Sequence, residues 1–381
     1  MAISSTTDVL FKLLRIATGV DSDYSLPSIV NWGEVINLSC THGVGAIAVD
    51  GLQRIYDSLA FGGNGPGLSA DDNKLSALDD LDSPQIEEDK YGWFHCTFQS
   101  EADYEQHVAA IGQLASLYSE KNLRMLLLKG YGLSLNYPIP AHRSSGDIDV
   151  YMFGDGSDAD KWLHLAKGIE PKQNEDKHSS FKFNGVSVEN HACLVNDTVF
   201  PALRELNEAL EKESALSSAV EVNGATVYIP SVTFNALFLP YHCAGHFAHG
   251  EASLRQLCDW ACFVQKYGGE IDWNRVRSVV EHVGYFSFFC CLNSIVKNYL
   301  GVPSSCLPDW PCDVDLAEKV VNDIASPRRE RKSLFGKVIR FFSSRWKYRM
   351  VYRDNMFLTA VRLAKSYLRL KNDRAVSIWE K

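Results

Sequence analysis

Residues 123–152, LRMLLLKGYGLSLNYPIPAHRSSGDIDVYM, decide the fold of this chain. The pattern predicts an apolar strand that ends at Lys129 and Gly130, a short amphipathic helix, a proline-rich turn, and a second strand that opens with Asp-Ile-Asp-Val. Because side chains alternate between the two faces of a strand, Asp147 and Asp149 share one face and the apolar side chains the other. The sequence therefore predicts two neighbouring carboxylates at the start of a strand.

Such a carboxylate pair indicates a metal site. Two carboxylates a few ångströms apart repel each other, so ionising both requires a cation between them. Mg²⁺ is the expected ion, because it binds through one or two carboxylates and completes its shell with water and substrate phosphate. Mn²⁺ is the alternative, since it prefers the same oxygen ligands.

A third carboxylate follows from the hairpin predicted at residues 178–191. Asn184-Gly185 supplies the positive backbone angles of a two-residue turn, and such a turn sets the register of its strands. The predicted opposite pairs are Phe183–Val186, Phe181–Val188, Lys182–Ser187, Ser180–Glu189 and His178–His191. The four apolar members share one face, so Glu189 lies on a polar face together with two histidines.

Glu189 joins Asp147 and Asp149 if this hairpin lies beside the carboxylate strand. Three carboxylates have the composition for two-metal phosphoryl chemistry, in which the aspartates bridge the ions. Glu189 would then hold one ion or accept the proton of the attacking hydroxyl; a surface position on the hairpin is the alternative. His178 and His191 either orient the carboxylates or the acceptor, or serve as structural histidines.

The order of these features resembles a known fold. A glycine at the end of a strand, a short helix and Asp-apolar-Asp-apolar resemble the nucleotidyltransferase fold of the polymerase-beta type. A wider set resembles one branch of it, the largely uncharacterised nucleotidyltransferase family 5. That set consists of Leu128-Lys129-Gly130, Tyr137-Pro138, Arg143, Gly146-Asp147-Ile148-Asp149, Glu189-Asn190-His191, His242, His246, Arg255 and Asp259.

The resemblance implies both a fold and a reaction. The fold would be α+β, with a short mixed sheet and flanking helices as the catalytic core. The reaction would transfer a nucleoside monophosphate from an NTP, such as ATP, to a hydroxyl or phosphate acceptor and release pyrophosphate.

Three residues near the start of the set are predicted to bind the triphosphate. Gly130 has no side chain, so a phosphate can approach its backbone, and the helix after it presents free amides. Lys129 would add positive charge, and the alternative is a strand-end lysine that points to solvent. Arg143 would bring its fork of donors to a phosphate from a loop, and the alternative is a surface arginine.

Two histidines in the C-terminal half are predicted to lie at the same cleft. His242 and His246 are four residues apart, which puts them on one face of a helix, near the base or phosphate or else in the core. A zinc site is not indicated, because neither an HExxH motif nor a cysteine pair at metal spacing accompanies them. Arg255 and Asp259 are also four apart and are predicted to pair and to brace the cleft.

Composition and hydropathy indicate a globular protein. The chain has 381 residues, 46% of them apolar and 22% charged, which is enough for two or three units with a sizeable core. The N-terminus lacks the basic region and cleavage signature of a secretory signal, and the ten cysteines lack a CxxC pair, which is typical of reduced thiols. We therefore expect a cytoplasmic protein without a transmembrane segment.

Charge is distributed unevenly along the chain. Residues 328–381 carry 16 Lys and Arg against 4 Asp and Glu, although the whole chain has a net charge of −9. The remainder therefore carries −21 and should repel nucleic acid, whereas the tail should not. The tail would bind RNA, lie on an anionic membrane, or close the helical domain by burying Phe341, Phe342 and Trp346.

The chain divides into four predicted segments. They are a helical N-terminal unit at 1–119 with a flexible acidic insertion at 61–90, a nucleotidyltransferase catalytic core at 120–230, a helical C-terminal domain at 231–327 and a basic aromatic tail at 328–381. The insertion would be a solvated loop or a lid over the nucleotide. Periodicity predicts helices at about 7–60, 101–121, 198–220, 231–267, 273–283 and 286–300, and a short strand at 226–230.

The acceptor stays open, because a small molecule, a protein side chain and an RNA end all fit these residues. A rival from another class is a non-catalytic module that binds a nucleotide or a protein on the same fold. A second rival is a phosphotransferase that moves the terminal phosphate and releases a nucleoside diphosphate. The intact set of Asp147, Asp149 and Glu189 favours the nucleotidyltransferase.

Overall fold

The computed structural model describes residues 4–61, 78, 81, 86–174, 178–326, 345–353, 358–359, 361–362 and 365. Within these residues the protein is a mixed α+β protein with one sheet and many helices. Most of the predicted acidic insertion 61–90 lies outside the described residues, and so does most of the predicted tail 328–381, with Phe341 and Phe342. What was predicted for those segments stays a prediction.

Helices precede the sheet, connect its strands and follow it. Their bounds are α1 Ser5–Ala17, α2 Trp32–Thr41, α3 Gly45–Phe61, α4 Glu87–Ser119, α5 Tyr131–Ser134, α6 Gly156–Lys167, α7 Arg204–Ser214, α8 Val232–His249, α9 Leu254–Tyr267, α10 Trp273–Val283, α11 Phe286–Leu300, α12 Val314–Ala325 and α13 Arg345–Val351. None of the helices among the described residues is long and apolar enough to cross a membrane.

The seven strands of the described residues form one mixed sheet. Their bounds are β1 Leu126–Leu127, β2 Asp147–Tyr151, β3 Lys172–Asn174, β4 His178–Phe183, β5 Val186–His191, β6 Ser218–Val222 and β7 Ala225–Ile229. The order across the sheet is β3-β4-β5-β2-β1-β7-β6, with β2 and β5 parallel, β1 and β7 parallel, and the other neighbours antiparallel. Strand β1 is shorter than predicted, although the Leu128 N–H still donates to the Asp149 carbonyl at 3.0 Å.

The sheet has an apolar face and a polar face. Ile148 and Val150 of β2 and Val188 of β5 are buried against α4 and α6, where Leu114 and Leu163 belong to the same cluster. Fully burying an apolar side chain of this size contributes about 1.5–3 kcal/mol relative to leaving it exposed. This burial decides the orientation of β2, and alternation then leaves its carboxylates on the opposite face.

The hairpin β4–β5 has the predicted register. Asn184 and Gly185 form its turn with positive φ angles of 50° and 86°. Ser180 lies opposite Glu189, His178 lies opposite His191, and the remaining predicted pairs also occur. The apolar members of the hairpin are buried, so the prediction from the two-residue turn is confirmed.

A second hairpin, β6–β7, differs from the prediction. The predicted amphipathic helix at 198–220 is correct only for α7, Arg204–Ser214, and the chain then enters β6 at Ser218. Asn223 and Gly224 form the turn, again with positive φ angles. The same dipeptide signal that predicts β4–β5 is therefore present here as well.

The predicted helix at 231–267 is two helices. Gly250, with φ of 73°, ends α8, and Ser253 begins α9 with a capping box to Gln256. A glycine in the left-handed region commonly ends a helix, so the break has a local cause. By contrast, α10 begins at the predicted Asp272 cap, which accepts from the backbone N–H groups of two following residues.

One part of the predicted tail packs on the helical region. Trp346 of α13 lies with its ring centroid 5.4 Å from that of Phe247 in α8. Lys347 is buried and pairs with Asp323 of α12. The packing alternative is therefore correct for this helix.

Candidate active site

Three carboxylates meet on the polar face of the sheet. The parallel register of β2 and β5 sets Asp149 opposite Glu189. Asp147 lies two residues before Asp149 in the same strand and so faces the same side. The prediction that the hairpin lies beside the carboxylate strand is therefore confirmed.

Asp149 is the most buried of the three carboxylates, with 4% of its surface exposed. Its Oδ1 atom lies 2.8 Å from Lys129 Nζ and 2.9 Å from His191 Nε2. Burial favours the neutral acid, but Lys129 and His191 outweigh it and hold the pKa of Asp149 well below its usual range. Asp149 is therefore an ionised carboxylate in a buried position.

Asp147 has the opposite electrostatic setting. Burial, and then the neighbouring Asp149 carboxylate, raise the pKa of Asp147 above its usual range. A divalent cation placed between the two would relieve this repulsion. The two carboxylates therefore repel each other, as the sequence predicts.

Two histidines hold the third carboxylate. Glu189 is 31% exposed, and its oxygens lie 3.4 Å from His178 Nε2 and 3.7 Å from His191 Nε2. His191, which is 2% exposed, also contacts Asp149, so it links two of the three carboxylates. Of the two roles predicted for these histidines, their positions fit the orientation of carboxylates.

A cleft of about 270 Å³ opens at these carboxylates. Eight of the nine predicted site residues line it: Lys129, Gly130, Arg143, Asp147, Asp149, Glu189, His242 and His246. His191 is the ninth, and it contacts Asp149, one of the residues that line the cleft. Ser145 and Gln256 also line the cleft, and no periodic pattern or motif points to either of them.

The backbone conformation at position 130 and a close neighbouring atom both favour glycine there. Its φ of +55° lies in the left-handed region that favours glycine, and a Cβ there would lie 3.2 Å from Ser145 Oγ. The helix after it, α5, has only four residues. The prediction of a short helix after Gly130 is therefore confirmed, and phosphate binding by its amides stays a prediction.

Arg143 is neither at the surface nor free to bind a phosphate with its fork. Its Nε and Nη2 atoms donate to the two carboxylate oxygens of Asp259 at 2.7 and 2.8 Å, and Tyr137 Oη donates to the same carboxylate at 2.7 Å. Burial opposes its charge, but Asp259 outweighs it and raises the pKa of Arg143. Arg143 thus ties the loop before β2 to helix α9.

Arg255 does not make the predicted pair with Asp259. Its Nη1 atom donates instead to the carbonyl oxygen of Ser144 at 3.0 Å. Burial, and then the nearby Arg143 guanidinium, lower the pKa of Arg255. Both arginines therefore fix the loop that leads to Asp147.

His242 and His246 lie at the cleft on helix α8. Their ring centroids are 4.5 Å apart, and His246 Nδ1 lies 3.6 Å from Glu251 Oε2. Neither belongs to a group of three metal-ligating side chains among the described residues. The cleft is thus lined by two imidazoles of α8 as well as by the three carboxylates.

Helices of the N-terminal region anchor the same loop, which the sequence does not predict. Ser144 Oγ donates to the carbonyl of Gly43 at 2.8 Å, and Ser100 Oγ donates to that of Ala141 at 2.7 Å. His142 Nδ1 lies 2.7 Å from Asp50 Oδ1. These contacts, together with those from α9, hold the loop before β2.

The residues present fit a divalent cation. Ligand atoms of Asp149, Glu189 and His191 all lie within 4.8 Å of one another, and they are the one such group in the part of the chain that the structure describes. Carboxylate oxygens are the ligands that Mg²⁺ and Mn²⁺ prefer. The Lys129 ammonium on Asp149 shows that a positive charge is already held at this place.

Comparison with known proteins gives one match to a family. A model of the family described as uncharacterised nucleotidyltransferase matches residues 28–301, more than half of the chain. Among solved structures, the crystal structure of an antigenic nucleotidyltransferase-like protein from Paracoccidioides brasiliensis is 11% identical, covers 52% of this chain and 93% of its own, and has a TM-score of 0.33. That score is too low to relate details of the two structures. No curated protein matches this chain.

Proposed function

This chain belongs to the family of uncharacterised nucleotidyltransferases, and we propose that it moves a nucleoside monophosphate from an NTP, such as ATP, to a hydroxyl or phosphate acceptor. One observation carries the proposal. Asp147, Asp149 and Glu189 stand on two parallel neighbouring strands at the cleft, with Lys129 on the central carboxylate. That set has the composition for metal-assisted phosphoryl chemistry.

The proposed reaction makes one bond and breaks one. The acceptor oxygen bonds to the α-phosphorus of the NTP, and the bond from that phosphorus to the oxygen bridging the α- and β-phosphates breaks. Pyrophosphate leaves with the electron pair of the broken bond. The acceptor proton passes to a carboxylate of the site or to water, and Glu189, which is 31% exposed, is the proposed carboxylate for this role.

The three carboxylates are the proposed ligands of Mg²⁺ or Mn²⁺. When bound, the ion would neutralise negative charge that develops on the transferred phosphoryl group. Asp149 is already ionised and held by His191, so it needs no rearrangement to act as a ligand. Glu189 would complete the ion's shell or accept the proton. The variant Glu189→Gln separates these roles. It should lower the affinity for the metal ion if Glu189 is a ligand, and should leave that affinity unchanged if Glu189 only accepts the proton.

Lys129, Gly130, His242 and His246 are the proposed contacts to the nucleotide. All four line the 270 Å³ cleft beside the carboxylates. We propose that Lys129 turns from Asp149 to the triphosphate when a metal ion takes over that carboxylate. Arg143 has its fork on Asp259 and would act by positioning the loop at the cleft.

The division of the chain is part of the same proposal. All strands of the described residues lie between Leu126 and Ile229, which supports a polymerase-beta-type core at 120–230. Helical units would flank this core at 1–119 and 231–327. Segment 328–381 would contribute α13 to the helical domain, and RNA binding by the rest of it is a separate proposal.

The experiment is a transfer assay with two labels. The purified protein is incubated with Mg²⁺ or Mn²⁺ and each NTP, alpha-labelled and gamma-labelled in parallel, with bulk tRNA or cell extract as acceptor. We expect alpha label in an acceptor, and none with the variant Asp147→Ala, Asp149→Ala. Asp158→Ala, at an exposed carboxylate on α6, is the matched control and should retain transfer.

Two other outcomes of the transfer assay would favour a different function. Gamma label in the acceptor would identify a phosphotransferase that moves the terminal phosphate. Nucleotide binding without any transfer would identify a non-catalytic binding module.

A further inference from the structure

A second cavity, of about 760 Å³, lies along the polar face of strands β3, β4 and β5, and we call it the strand groove. It shares four lining residues with the 270 Å³ cleft, namely Gly146, Asp147, Glu189 and Arg255. The carboxylates therefore stand where two cavities meet. An enzyme that joins two substrates needs such a junction, with one substrate on each side of the reacting atoms.

Strand register places two lysines of the groove in line with the carboxylates. One row across the sheet runs Lys172, Ser180, Glu189 and Asp149, and the next runs Lys182, Ser187 and Asp147. Neighbouring strands lie about 4.8 Å apart, so the backbone of Lys182 is roughly 10 Å from that of Asp147. Both lysines therefore lie on the groove side away from the cleft, within side-chain reach of a group bound next to the carboxylates.

The charge of these lysines is available to a ligand. Lys172 and Lys182 are exposed, and neither has an ion-pair partner among the described residues. Arg255 adds a third cation at the junction, and the acidic side chains that line the groove among the described residues are Asp147, Glu170 and Glu189. Asp147 and Glu189 are proposed metal ligands, so the side of the groove away from the cleft has two lysines against the Glu170 carboxylate among the described residues.

We propose that the strand groove binds the acceptor, and that this acceptor carries a phosphate group close to the oxygen that is modified. The oxygen would lie at Asp147 and Glu189, and the phosphate would contact Lys172 and Lys182. Lysine ammonium groups bind phosphate as point charges, which suits an exposed groove. The inference rests on the proposed nucleotidyl transfer and adds the chemical class of its acceptor.

The test uses charge removal in the groove of the full-length protein. The double variant Lys172→Gln, Lys182→Gln removes both cations, and Lys167→Gln, Lys212→Gln removes two exposed helical lysines outside both cavities as the matched control. Two lost charge-assisted contacts should raise the acceptor KM at least about tenfold in the groove variant, with the NTP KM close to that of the wild type. The control variant should show neither change.

The source of the phosphate is resolved by the acceptor fractions. Cell extract is divided into RNA and small molecules, and each fraction is offered with alpha-labelled NTP after treatment with phosphatase, with ribonuclease, or with neither. Loss of transfer after phosphatase in the small-molecule fraction identifies a phosphorylated metabolite. Loss after ribonuclease in the RNA fraction identifies the phosphodiester next to an RNA end.

Two results would overturn the inference while leaving nucleotidyl transfer intact. One is equal transfer to phosphatase-treated small molecules. The other is a groove variant whose acceptor KM equals that of the wild type. Failure of the wild type to label any component of the whole extract, proteins included, would instead refute the proposed function, and the inference with it.

Discussion

Two buried aspartates of the cleft, Asp149 and Asp259, are alike in exposure and differ in how their oxygens are used. Asp149 is 4% exposed and Asp259 is 6% exposed. Asp259 accepts on both oxygens, from the fork of Arg143 and from Tyr137. Asp149 Oδ1 lies 2.8 Å from Lys129 Nζ and 2.9 Å from His191 Nε2.

We expect this difference to separate a structural carboxylate from a functional one. A bidentate arginine pair with a further hydroxyl satisfies a buried carboxylate and fixes its geometry. The lysine partner of Asp149 lines the cleft instead, where a metal ion can replace its ammonium group on the carboxylate. The comparison predicts that Asp149 controls activity and Asp259 controls stability.

The largest effect is expected from Asp149→Asn. Loss of the central charge should lower kcat for alpha-label transfer at least about 10³-fold, because electrostatic stabilisation of the transferred group is the main catalytic term. The free energy of unfolding in urea should fall by less than about 2 kcal/mol, since Lys129 can turn toward the cleft. An active Asp149→Asn variant would erase the distinction between the two aspartates.

Asp259→Ala should have the second largest effect, on stability. It leaves the buried Arg143 charge without its partner, and breaking such a pair costs about 3–5 kcal/mol. Urea unfolding followed by circular dichroism measures this loss. Asp158→Ala, which breaks the exposed pair with Lys161, is the control and should cost under about 1 kcal/mol. Similar losses in both variants would show that the Arg143–Asp259 pair does not hold the loop.

Local signals account for the parts of this site that the sequence predicts. Asn184-Gly185 determines the register of β4–β5, and strand alternation puts Glu189 and the two aspartates on one face. The Asp272 cap likewise predicts the start of α10. Asn223-Gly224 carries the same turn signal for β6–β7, but the amphipathic pattern before it favours a helix.

Long-range pairs could not be predicted, because no local pattern relates their members. Arg143 and Asp259 are 116 residues apart, and the spacing of four favours Arg255 as the partner of Asp259. Tertiary packing decides between the two arginines. The contact of Lys129 with Asp149 is also set by packing, since the sequence predicts only a charge near the phosphate.

Lys129→Gln should change the affinities for the metal ion and for the nucleotide in opposite directions. It removes the ammonium 2.8 Å from Oδ1, so Mn²⁺ without nucleotide should bind more tightly, by roughly three- to tenfold. NTP affinity should fall by about tenfold, because the same ammonium is the proposed phosphate contact. Isothermal titration calorimetry measures both, and a parallel loss of the two affinities would mean that Lys129 only supports the fold.

Tyr137→Phe tests the third contact of Asp259. It removes the hydroxyl that donates to Oδ1 and leaves the Arg143 fork in place. The expected loss is about 1 kcal/mol of unfolding free energy, the usual value for one hydrogen bond. A loss as large as that of Asp259→Ala would show that the tyrosine, and not the arginine, satisfies the carboxylate.

The smallest effect on stability is expected from the pair of Asp50 and His142, because the histidine loses its charge as pH rises. The hydrogen bond that His142 Nδ1 donates to Asp50 raises the pKa of His142, against the effect of burial. A raised folded pKa stabilises the protein fully below the unfolded value of about 6.5, and this contribution is lost as pH rises through the folded pKa. The destabilisation by His142→Gln should therefore be larger at pH 5.5 than at pH 8.5, by up to about 1 kcal/mol. An equal loss at both values would contradict a charged pair.

The most direct test is the location of the metal ion. Crystals grown with Mn²⁺ and a non-hydrolysable NTP analogue allow the ion to be found by its anomalous scattering. We expect a peak about 2.1 Å from carboxylate oxygens of Asp149 and Glu189, with Lys129 turned to the phosphates. A bound nucleotide with no peak at these carboxylates, or with Lys129 still on Asp149, would contradict it.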